Sequence, residues 1–208
     1  KTVIFVNCSG SAIALKPETE NCDAIVQAWY AGQEGGTAIA DVLFGDYNPC
    51  GKLPVTFYKS SDQLPDYESY SMRGRTYRYF NEPLFAFGYG MSYTQFEIGK
   101  AEVKQDGGGF VVTVPVSNKG QRSGTEIVQV YLRDLSDNDG PLKSLRAFKR
   151  VDVKPGTTVQ AEIKLPRESF EFFDASTNTM RIKPGRYEMM YGNSSLDSCL
   201  KTEILLLD

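Results

Sequence analysis

Hydrophobic and polar residues alternate through the second half of the chain, from about residue 95 to residue 208. Successive side chains of a β-strand point to opposite faces, so such alternation predicts strands with one buried face. The clearest runs are Phe110 to Val116, Val128 to Leu132, Leu145 to Val153 and Val159 to Leu165. Further strands are expected at residues 96–104, 169–173, 186–191 and 201–207.

Turn-forming sequences separate these predicted strands. They are Gly107-Gly-Gly109, Asn118-Lys-Gly120, Asp137-Asn-Asp-Gly140, Lys154-Pro-Gly156 and Lys183-Pro-Gly185. Seven or eight short strands at this spacing predict an antiparallel β-sandwich. The Cys…Trp…Cys spacing of antibody domains is missing, so the pattern favours a fibronectin type III-like member of the immunoglobulin-like sandwiches.

The first 58 residues follow a different pattern. Thr2 to Val6 are apolar at consecutive positions, which predicts a strand buried on both faces, and Asp23 to Tyr30 predict a second strand. Thr37 to Phe44 predict a short helix that ends at Gly45, a residue suited to the left-handed conformation. These elements are too few for an α/β domain with helices on both faces of its sheet. We therefore expect the chain to begin inside a domain, as the C-terminal part of a longer protein or one chain of a cleaved protein.

An aromatic-rich stretch joins the two patterns. Residues 57–96 contain 12 of the 25 aromatic residues, whereas a flexible linker would be polar and poor in rings. We therefore predict a connector that packs on domain surfaces. The predicted fold class is mainly β, a fibronectin type III-like sandwich preceded by a partial α/β segment. The predicted division is an α/β remnant at 1–58, the connector at 59–94 and the sandwich at 95–208.

The amino-acid composition excludes several classes of partner and of catalytic or metal site. The net charge of −3 and the lack of basic clusters argue against a nucleic-acid partner, and no apolar stretch is long enough to predict a membrane span. The absence of histidine excludes Ser-His and Cys-His nucleophile pairs and histidine-containing zinc sites. Cys8, Cys22, Cys50 and Cys199 lack C-x-x-C spacing. We predict buried free thiols, with a Cys8–Cys22 or similar disulfide as the alternative.

Glu34 is the most conspicuous carboxylate, because it lies at a glycine-rich turn before the predicted helix. A carboxylate in the first turn of a helix is also stabilised by the helix dipole, and we favour this structural role. The surrounding Gln33-Glu-Gly-Gly36 matches neither phosphate-binding glycine motif. Asp46 to Gly51 predict a turn to which we assign no chemistry.

Three arginines and the single tryptophan are further candidates for sugar-binding residues. Arg73, Arg75 and Arg78, which lie among tyrosines, could bind sugars, but we favour cation–π and ion-pair roles in an interdomain seam. Trp29 lies beside a buried-strand pattern and is interpreted as a core residue rather than a sugar platform. The sequence therefore assigns no catalytic, cofactor-binding or metal-binding residue.

Several motifs resemble the C-terminal part of family 3 glycoside hydrolases. Residues 28–58, Gly74-Arg-Thr-Tyr-Arg-Tyr-Phe80 and Pro83 to Thr94 are similar to the end of the second domain of that family. Gly124 to Leu132, Leu145-Arg-Ala-Phe-Lys149 and Pro184 to Glu188 are similar to its fibronectin type III-like domain. The resemblance covers nearly the whole chain.

The resemblance implies a parent protein that is a retaining hydrolase of β-linked xylosides or glucosides. Its two catalytic carboxylates would need no cofactor, and β-linked oligosaccharides would bind through the parent. The family places the nucleophile in a (β/α)8 barrel and the acid-base glutamate upstream in the α/β domain, and neither matches a position here. We therefore expect this chain to be an inactive scaffold with the barrel and α/β domains as partners, in a parent that is periplasmic or secreted.

Two alternatives remain open. The sandwich could be a non-catalytic carbohydrate-binding module, or the chain could be a structural module without a ligand. An incomplete α/β sheet would also expose apolar surface, so we expect the chain to self-associate or to be partly disordered before residue 58.

Overall fold

The computed structural model describes residues 1–208, and its first 58 residues contain a small α/β segment. The segment consists of strand β1 (Ile4–Asn7), helix α1 (Lys16–Asn21), strand β2 (Ala24–Gln27) and helix α2 (Gly35–Phe44). The two strands pair in parallel, and Gly45 ends α2 with φ of 84°. The predicted strands and the predicted helix are therefore present, but α1 was not predicted from the sequence.

Two predictions for this segment need correction. The strand predicted to extend to Tyr30 ends at Gln27, because the backbone of Trp29 turns to a positive φ of 58° and cannot continue an extended chain. The first strand is not buried on both faces, since Val3 is 49% exposed and Ile4 is 42% exposed.

The connector has little regular structure. It contains a single 3-10 turn at Ser61–Gln63 and one short helix, α3 (Thr76–Tyr79). Phe57, which lies just before the connector, and Phe85 within it form an isolated antiparallel bridge. None of the helices has the length and hydrophobicity needed to cross a lipid bilayer.

Ten further strands lie between residues 96 and 207. They are β3 (Phe96–Ile98), β4 (Glu102–Asp106), β5 (Gly109–Asn118), β6 (Gly124–Asp134), β7 (Ser144–Val153), β8 (Thr158–Leu165), β9 (Glu171–Asp174), β10 (Thr179–Ile182), β11 (Gly185–Gly192) and β12 (Leu200–Leu207). One antiparallel sheet has the order β12-β11-β6-β7, and in the other β5 pairs with β3, β4 and β8. Strands β9 and β10 form a separate hairpin. The mainly β fold class is confirmed.

A core of 19 buried residues holds the two sheets together. Val114 of β5 lies opposite Ala161 of β8, and Val130 of β6 lies opposite Tyr191 of β11, all of them fully or almost fully buried. The hydroxyl of Tyr191 accepts a hydrogen bond from the Ala101 amide at 2.8 Å, so this large side chain is buried with its polar atom satisfied.

Three strand predictions were imprecise. The single strand expected at 96–104 is divided into β3 and β4, and the strand expected at 169–173 begins only at Glu171, after a 3-10 turn at Arg167–Phe170. Strand β10 was not predicted. The cysteines are all free thiols, but the prediction that they are buried holds only for Cys50, since Cys8 and Cys199 are exposed.

Candidate functional site

Buried polar contacts join the connector, the α/β segment and the sandwich at the seam where the three meet. Strand β6 forms the sandwich side of this seam. It is buried continuously from Val128 to Leu132, although an exposed sheet would bury only every second residue. The ring of Tyr77 in the connector packs edge-on against Tyr131 at 5.7 Å, so the connector covers the outer side of this strand.

Asn48 links all three regions. Its Oδ1 accepts hydrogen bonds from the Tyr93 amide at 2.7 Å and the Ser92 hydroxyl at 3.0 Å, both in the connector. Its Nδ2 donates to the Ser123 carbonyl of the sandwich at 3.0 Å. The turn at Asp46 to Gly51, which was given no role from the sequence, is therefore a junction.

Lys52 and Glu126 form a buried ion pair across the seam. Their charged groups are 2.8 Å apart, and the side chains are only 11% and 5% exposed. Lys52 Nζ also donates to the Gly90 carbonyl at 3.2 Å. Glu126 accepts from its neighbouring Ile127 amide at 2.8 Å and from Asn193 Nδ2 at 3.2 Å, so both charges are hydrogen-bonded as burial requires.

Gln129 extends this polar network. Its Nε2 donates to the carbonyls of Gly88 at 3.1 Å and Asn193 at 2.8 Å, and its Oε1 accepts from the Tyr131 hydroxyl at 2.5 Å. Burial, with a smaller contribution from Tyr77, raises the pKa of Tyr131 well above its ordinary value, so Tyr131 remains a neutral donor. Gly88 has φ of 77°, and a side chain there would clash with Gln129.

Aromatic rings form the apolar part of the seam. Tyr77 stacks on Phe87 with ring centroids 4.3 Å apart, and the fully buried Phe57 packs edge-on between Trp29 at 6.2 Å and Phe85 at 6.3 Å. These contacts agree with a connector that packs on domain surfaces. Tyr67 and Tyr70 are different, because they are 97% and 101% exposed.

A cleft of about 180 Å³ opens between the connector and the sandwich. Its lining includes Thr56, Tyr77, Phe80 and Phe87 from the first part of the chain, and Lys143 and Asp197 from the sandwich. Lys143 is 5% exposed, and its Nζ donates to the Ser195 carbonyl at 2.9 Å and to the Asp197 carboxylate. Thr56 is 6% exposed, and its Oγ1 has no hydrogen-bond partner.

The three arginines proposed for the seam have separate roles. Arg73 forms an exposed ion pair with Asp139 of the sandwich at 2.6 Å. Arg75 instead closes its own loop by donating to the carbonyls of Ser71, Asp66 and Ser69. Arg78 lies over the Tyr79 ring at 5.8 Å, and its buried Nε has no partner.

Glu34 lies at the N-cap of α2, where it is exposed and accepts a hydrogen bond from the Thr37 hydroxyl at 3.1 Å. This placement agrees with the structural role that we favoured. Trp29 is partly buried and contacts Phe57 through a ring edge. No group of three or more cysteine, aspartate or glutamate residues comes together in a way that could hold a metal ion.

Sequence reasoning missed the polar residues that hold the seam together. Lys52 and Glu126 are far apart in the chain, and each has the ordinary appearance of a surface charge. The only available signal was the position of Glu126, which falls in register with the buried alternation of Val128 and Val130. Lys143 gave no such signal.

Two protein-family models match the chain. The model of the glycosyl hydrolase family 3 C-terminal domain matches residues 1–93, and the model of a fibronectin type III-like domain matches residues 126–195. The two matches correspond to the α/β segment with its connector and to the central part of the sandwich.

Curated relatives and solved structures agree with these matches. The chain is 67% identical to a xylan 1,4-beta-xylosidase of Xylanibacter ruminicola over 97% of its length, and 37% identical to a periplasmic beta-glucosidase of Salmonella typhimurium over 94%. It covers 24% and 28% of those proteins, so the chain spans about a quarter of the length of the curated relatives it matches.

The solved structures extend the likeness to the whole fold. The crystal structure of DesR, a beta-glucosidase from Streptomyces venezuelae, superposes with a TM-score of 0.89 at 29% identity over 100% of this chain and 29% of that one. A beta-glucosidase from Kluyveromyces marxianus superposes with a TM-score of 0.89 at 32% identity over 99% of this chain and 26% of that one.

Proposed function

Because the chain belongs to the family 3 glycoside hydrolases, as the C-terminal domain of that family joined to a fibronectin type III-like domain, we propose that it is the scaffold part of a retaining hydrolase of β-linked xylosides or glucosides. In this proposal the catalytic carboxylates belong to upstream domains. The chain itself keeps the α/β domain fixed against the sandwich.

The observation that carries the proposal is the 67% identity to a xylan 1,4-beta-xylosidase over nearly the whole chain. The identity to the periplasmic beta-glucosidase is much lower, at 37%. This difference favours β-linked xylosides as the substrates of the parent protein. It also agrees with the resemblance of Gly74 to Phe80, which leans toward the xylosidases.

The chemistry of retaining hydrolysis supports the scaffold role. It needs one carboxylate as nucleophile and a second as acid and base, about 5 Å apart across the sugar. Glu34, the most conspicuous carboxylate in the sequence, is exposed at a helix N-terminus and accepts a hydrogen bond from Thr37. We propose that neither catalytic role falls to this chain.

The seam explains what a scaffold would do here. Asn48 and the Lys52–Glu126 pair fix the end of the α/β segment to the sandwich through directional, buried contacts. Catalytic geometry is sensitive to displacements of about 1 Å. A rigid seam would therefore hold the loops of the α/β domain in place around an active site formed upstream.

Hydrolysis of aryl β-xyloside and aryl β-glucoside by the purified chain tests the proposal, with the full-length parent as the positive control. We expect turnover by the parent, faster on the xyloside, and no turnover by the chain. Turnover by the rigorously purified chain would contradict the proposal, because the chain would then hold its own catalytic carboxylates, and Glu34→Gln would show whether Glu34 is one of them.

A further inference from the structure

Strand β12 forms one edge of the sheet β12-β11-β6-β7, and its outer side has no partner strand. It pairs with β11 in unbroken register from Leu200 to Leu207 and contains neither a proline nor a bulge. Ile204 and Leu206 on this strand are 50% and 59% exposed. Folded proteins usually protect such an edge with charged side chains, prolines, bulges or a very short strand, because its unpaired backbone groups can pair with another strand. Strand β4 of the other sheet shows this protection, since exposed polar or charged residues occupy four of its five positions.

A hydrogen bond in the neighbouring strand shows which backbone groups of β12 face the free edge. The Arg186 carbonyl of β11 accepts a hydrogen bond at 3.1 Å from the amide of Leu135, which follows β6. Successive residues of a strand inside an antiparallel sheet bond to opposite neighbours, so Tyr187 bonds toward β12, where it pairs with Leu205. The odd-numbered residues of β12 therefore bond to β11. The even-numbered residues from Thr202 to Leu206 direct their amides and carbonyls to the free edge.

The charged side chains of β12 make this edge complementary to itself. If a second copy pairs antiparallel with Thr202 opposite the partner's Thr202, each Lys201 lies directly opposite the partner's Glu203. Lys201 has no ion pair within its own chain, and Glu203 has only a long one, at 3.9 Å, to the exposed Lys100.

The same charges select one register of pairing. Hydrogen bonding between even-numbered residues allows only shifts of two positions at a time. A shift of two places Glu203 opposite the partner's Glu203 in one direction, or Lys201 opposite the partner's Lys201 in the other, and like charges directly opposite are destabilising. A shift of four toward the C-terminus places both charged side chains opposite leucines, Leu205 and Leu207. The register centred on Thr202 is therefore the one in which every charge is paired.

We propose that two copies of this chain associate through antiparallel pairing of β12 with β12, with Thr202 on the two-fold axis. The two four-stranded sheets then join into one sheet of eight strands. Ile204 of each copy faces the partner's Leu200, so the exposed apolar side chain also gains a contact. A second copy suits this edge because the strand itself supplies both members of each ion pair, as a two-fold interface requires. The pairing uses only the sandwich, so it does not depend on the proposed catalytic role.

Sedimentation velocity of the full-length parent over a concentration series tests the proposal, because the first segment of the isolated chain could associate by itself. We expect a dimer. Lys201→Glu turns both ion pairs of the dimer into repulsive contacts and should weaken association by about tenfold or more. The double variant Lys201→Glu/Glu203→Lys exchanges the charges and should restore it. Lys149→Glu, the same change at an exposed position of β7 on the opposite edge of the sheet, is the matched control and should associate as the wild type does.

Disulfide cross-linking tests the register. In the proposed pair the two Thr202 Cα atoms are about 5.5 Å apart, within the range that a disulfide spans. The two Ile204 residues are displaced by four positions, roughly 13 Å along the strands. In a Cys199→Ser background, which removes the exposed thiol beside β12, Thr202→Cys should give a covalent dimer on mild oxidation and Ile204→Cys should not. Cys199→Ser alone is the blank for other cysteines of the parent.

Loss of folding cannot account for these outcomes. Lys201 is exposed, so the thermal midpoint of Lys201→Glu should stay close to that of the wild type, and a double variant that regains association must be folded. The proposal is wrong if the parent is a monomer, if Lys201→Glu associates as tightly as the wild type, or if the double variant does not recover. Cross-linking through Ile204→Cys in place of Thr202→Cys would likewise contradict it.

Discussion

The sandwich and the first 58 residues bury their apolar side chains to very different extents. The sandwich encloses a core of 19 residues, whereas only five of the first 58 residues are buried and helix α2 buries none. Parallel strands such as β1 and β2 are normally covered on both faces. We infer that the sandwich is stable by itself and that the first segment depends on the remainder of an α/β domain.

The largest expected effect on the free energy of unfolding comes from a leucine-to-alanine substitution in the sandwich, compared with the same substitution in the first segment. Leu165→Ala removes a fully buried side chain from β8 and should lower the free energy of unfolding by roughly 2–5 kcal/mol. Leu43→Ala on α2, where the leucine is 36% exposed, should change it by less than about 0.5 kcal/mol. Urea denaturation monitored by tyrosine fluorescence measures both values. Equal losses would show that the first segment is packed as tightly as the sandwich.

The next effect concerns the seam that joins the two regions. Lys52→Met leaves the buried carboxylate of Glu126 without its ion pair, although the Ile127 amide and Asn193 still donate to it. We expect a loss of about 2–3 kcal/mol in the free energy of unfolding.

The double variant Lys52→Met/Glu126→Gln is the control for this prediction. Removing both charges should recover part of the loss, because the cost lies mainly in the unpaired buried charge. The same urea denaturation distinguishes the outcomes. A double variant less stable than Lys52→Met would mean that the pair contributes through packing and not through charge.

A smaller effect is expected on self-association. Phe44 at the end of α2 is 84% exposed, and Val3 and Ile4 are also exposed at the start of the same segment. If this apolar surface drives association of the isolated chain, Phe44→Ser should weaken it by about tenfold. Sedimentation velocity over a concentration series measures the change, with Phe148→Ser on the sandwich, where the ring is 66% exposed, as the control. Association that responds only to Phe148→Ser would place the contact on the sandwich.

The smallest expected effect is the contribution of Asp174, in the β9–β10 hairpin, to the pH dependence of stability. Hydrogen bonds from the side chain and the amide of Ser176, with a further contribution from Arg181, lower the pKa of Asp174 to about 2. The folded-state pKa lies below its ordinary value of 3.8, so this stabilisation is present above about pH 4 and is lost as the pH falls through the folded-state pKa near 2.

Ser176→Ala removes the side-chain part of this effect. We expect the pKa of Asp174 to rise toward its ordinary value, which carboxyl-carbon NMR shifts in a pH titration would measure. An unchanged pKa would show that the backbone amide and Arg181 are sufficient.

The two regions also differ in how far the sequence predicts them. In β5 and β8, buried apolar residues recur at every second position because one face of each strand is buried, and the strands follow directly from that pattern. Helix α1 and strand β10 have no such pattern, because Lys16 to Asn21 bury no residue and Thr179 to Met180 are exposed. Local patterns predict an element only where burial imposes a period.

The seam was predicted only in outline. The density of rings between Phe57 and Phe96 predicts a packed stretch, and ring contacts such as Tyr77 on Phe87 form within it, although Tyr67 and Tyr70 are exposed. Lys52, Glu126 and Lys143 could not be predicted, because a buried charge is identified by a distant partner that only the fold brings near. The contacts of Asn48 likewise join residues that are 45 and 75 positions apart.

Amide hydrogen exchange of the isolated chain tests the difference between the two regions most directly. The central amides of β5 and β6 should exchange only through global unfolding, whereas those of β1, β2 and α2 should exchange through local opening and be much less protected. In the full-length parent protein, the first segment should gain protection while the sandwich changes little. Equal protection of both regions in the isolated chain would contradict the inference that the first 58 residues need further elements to be stable.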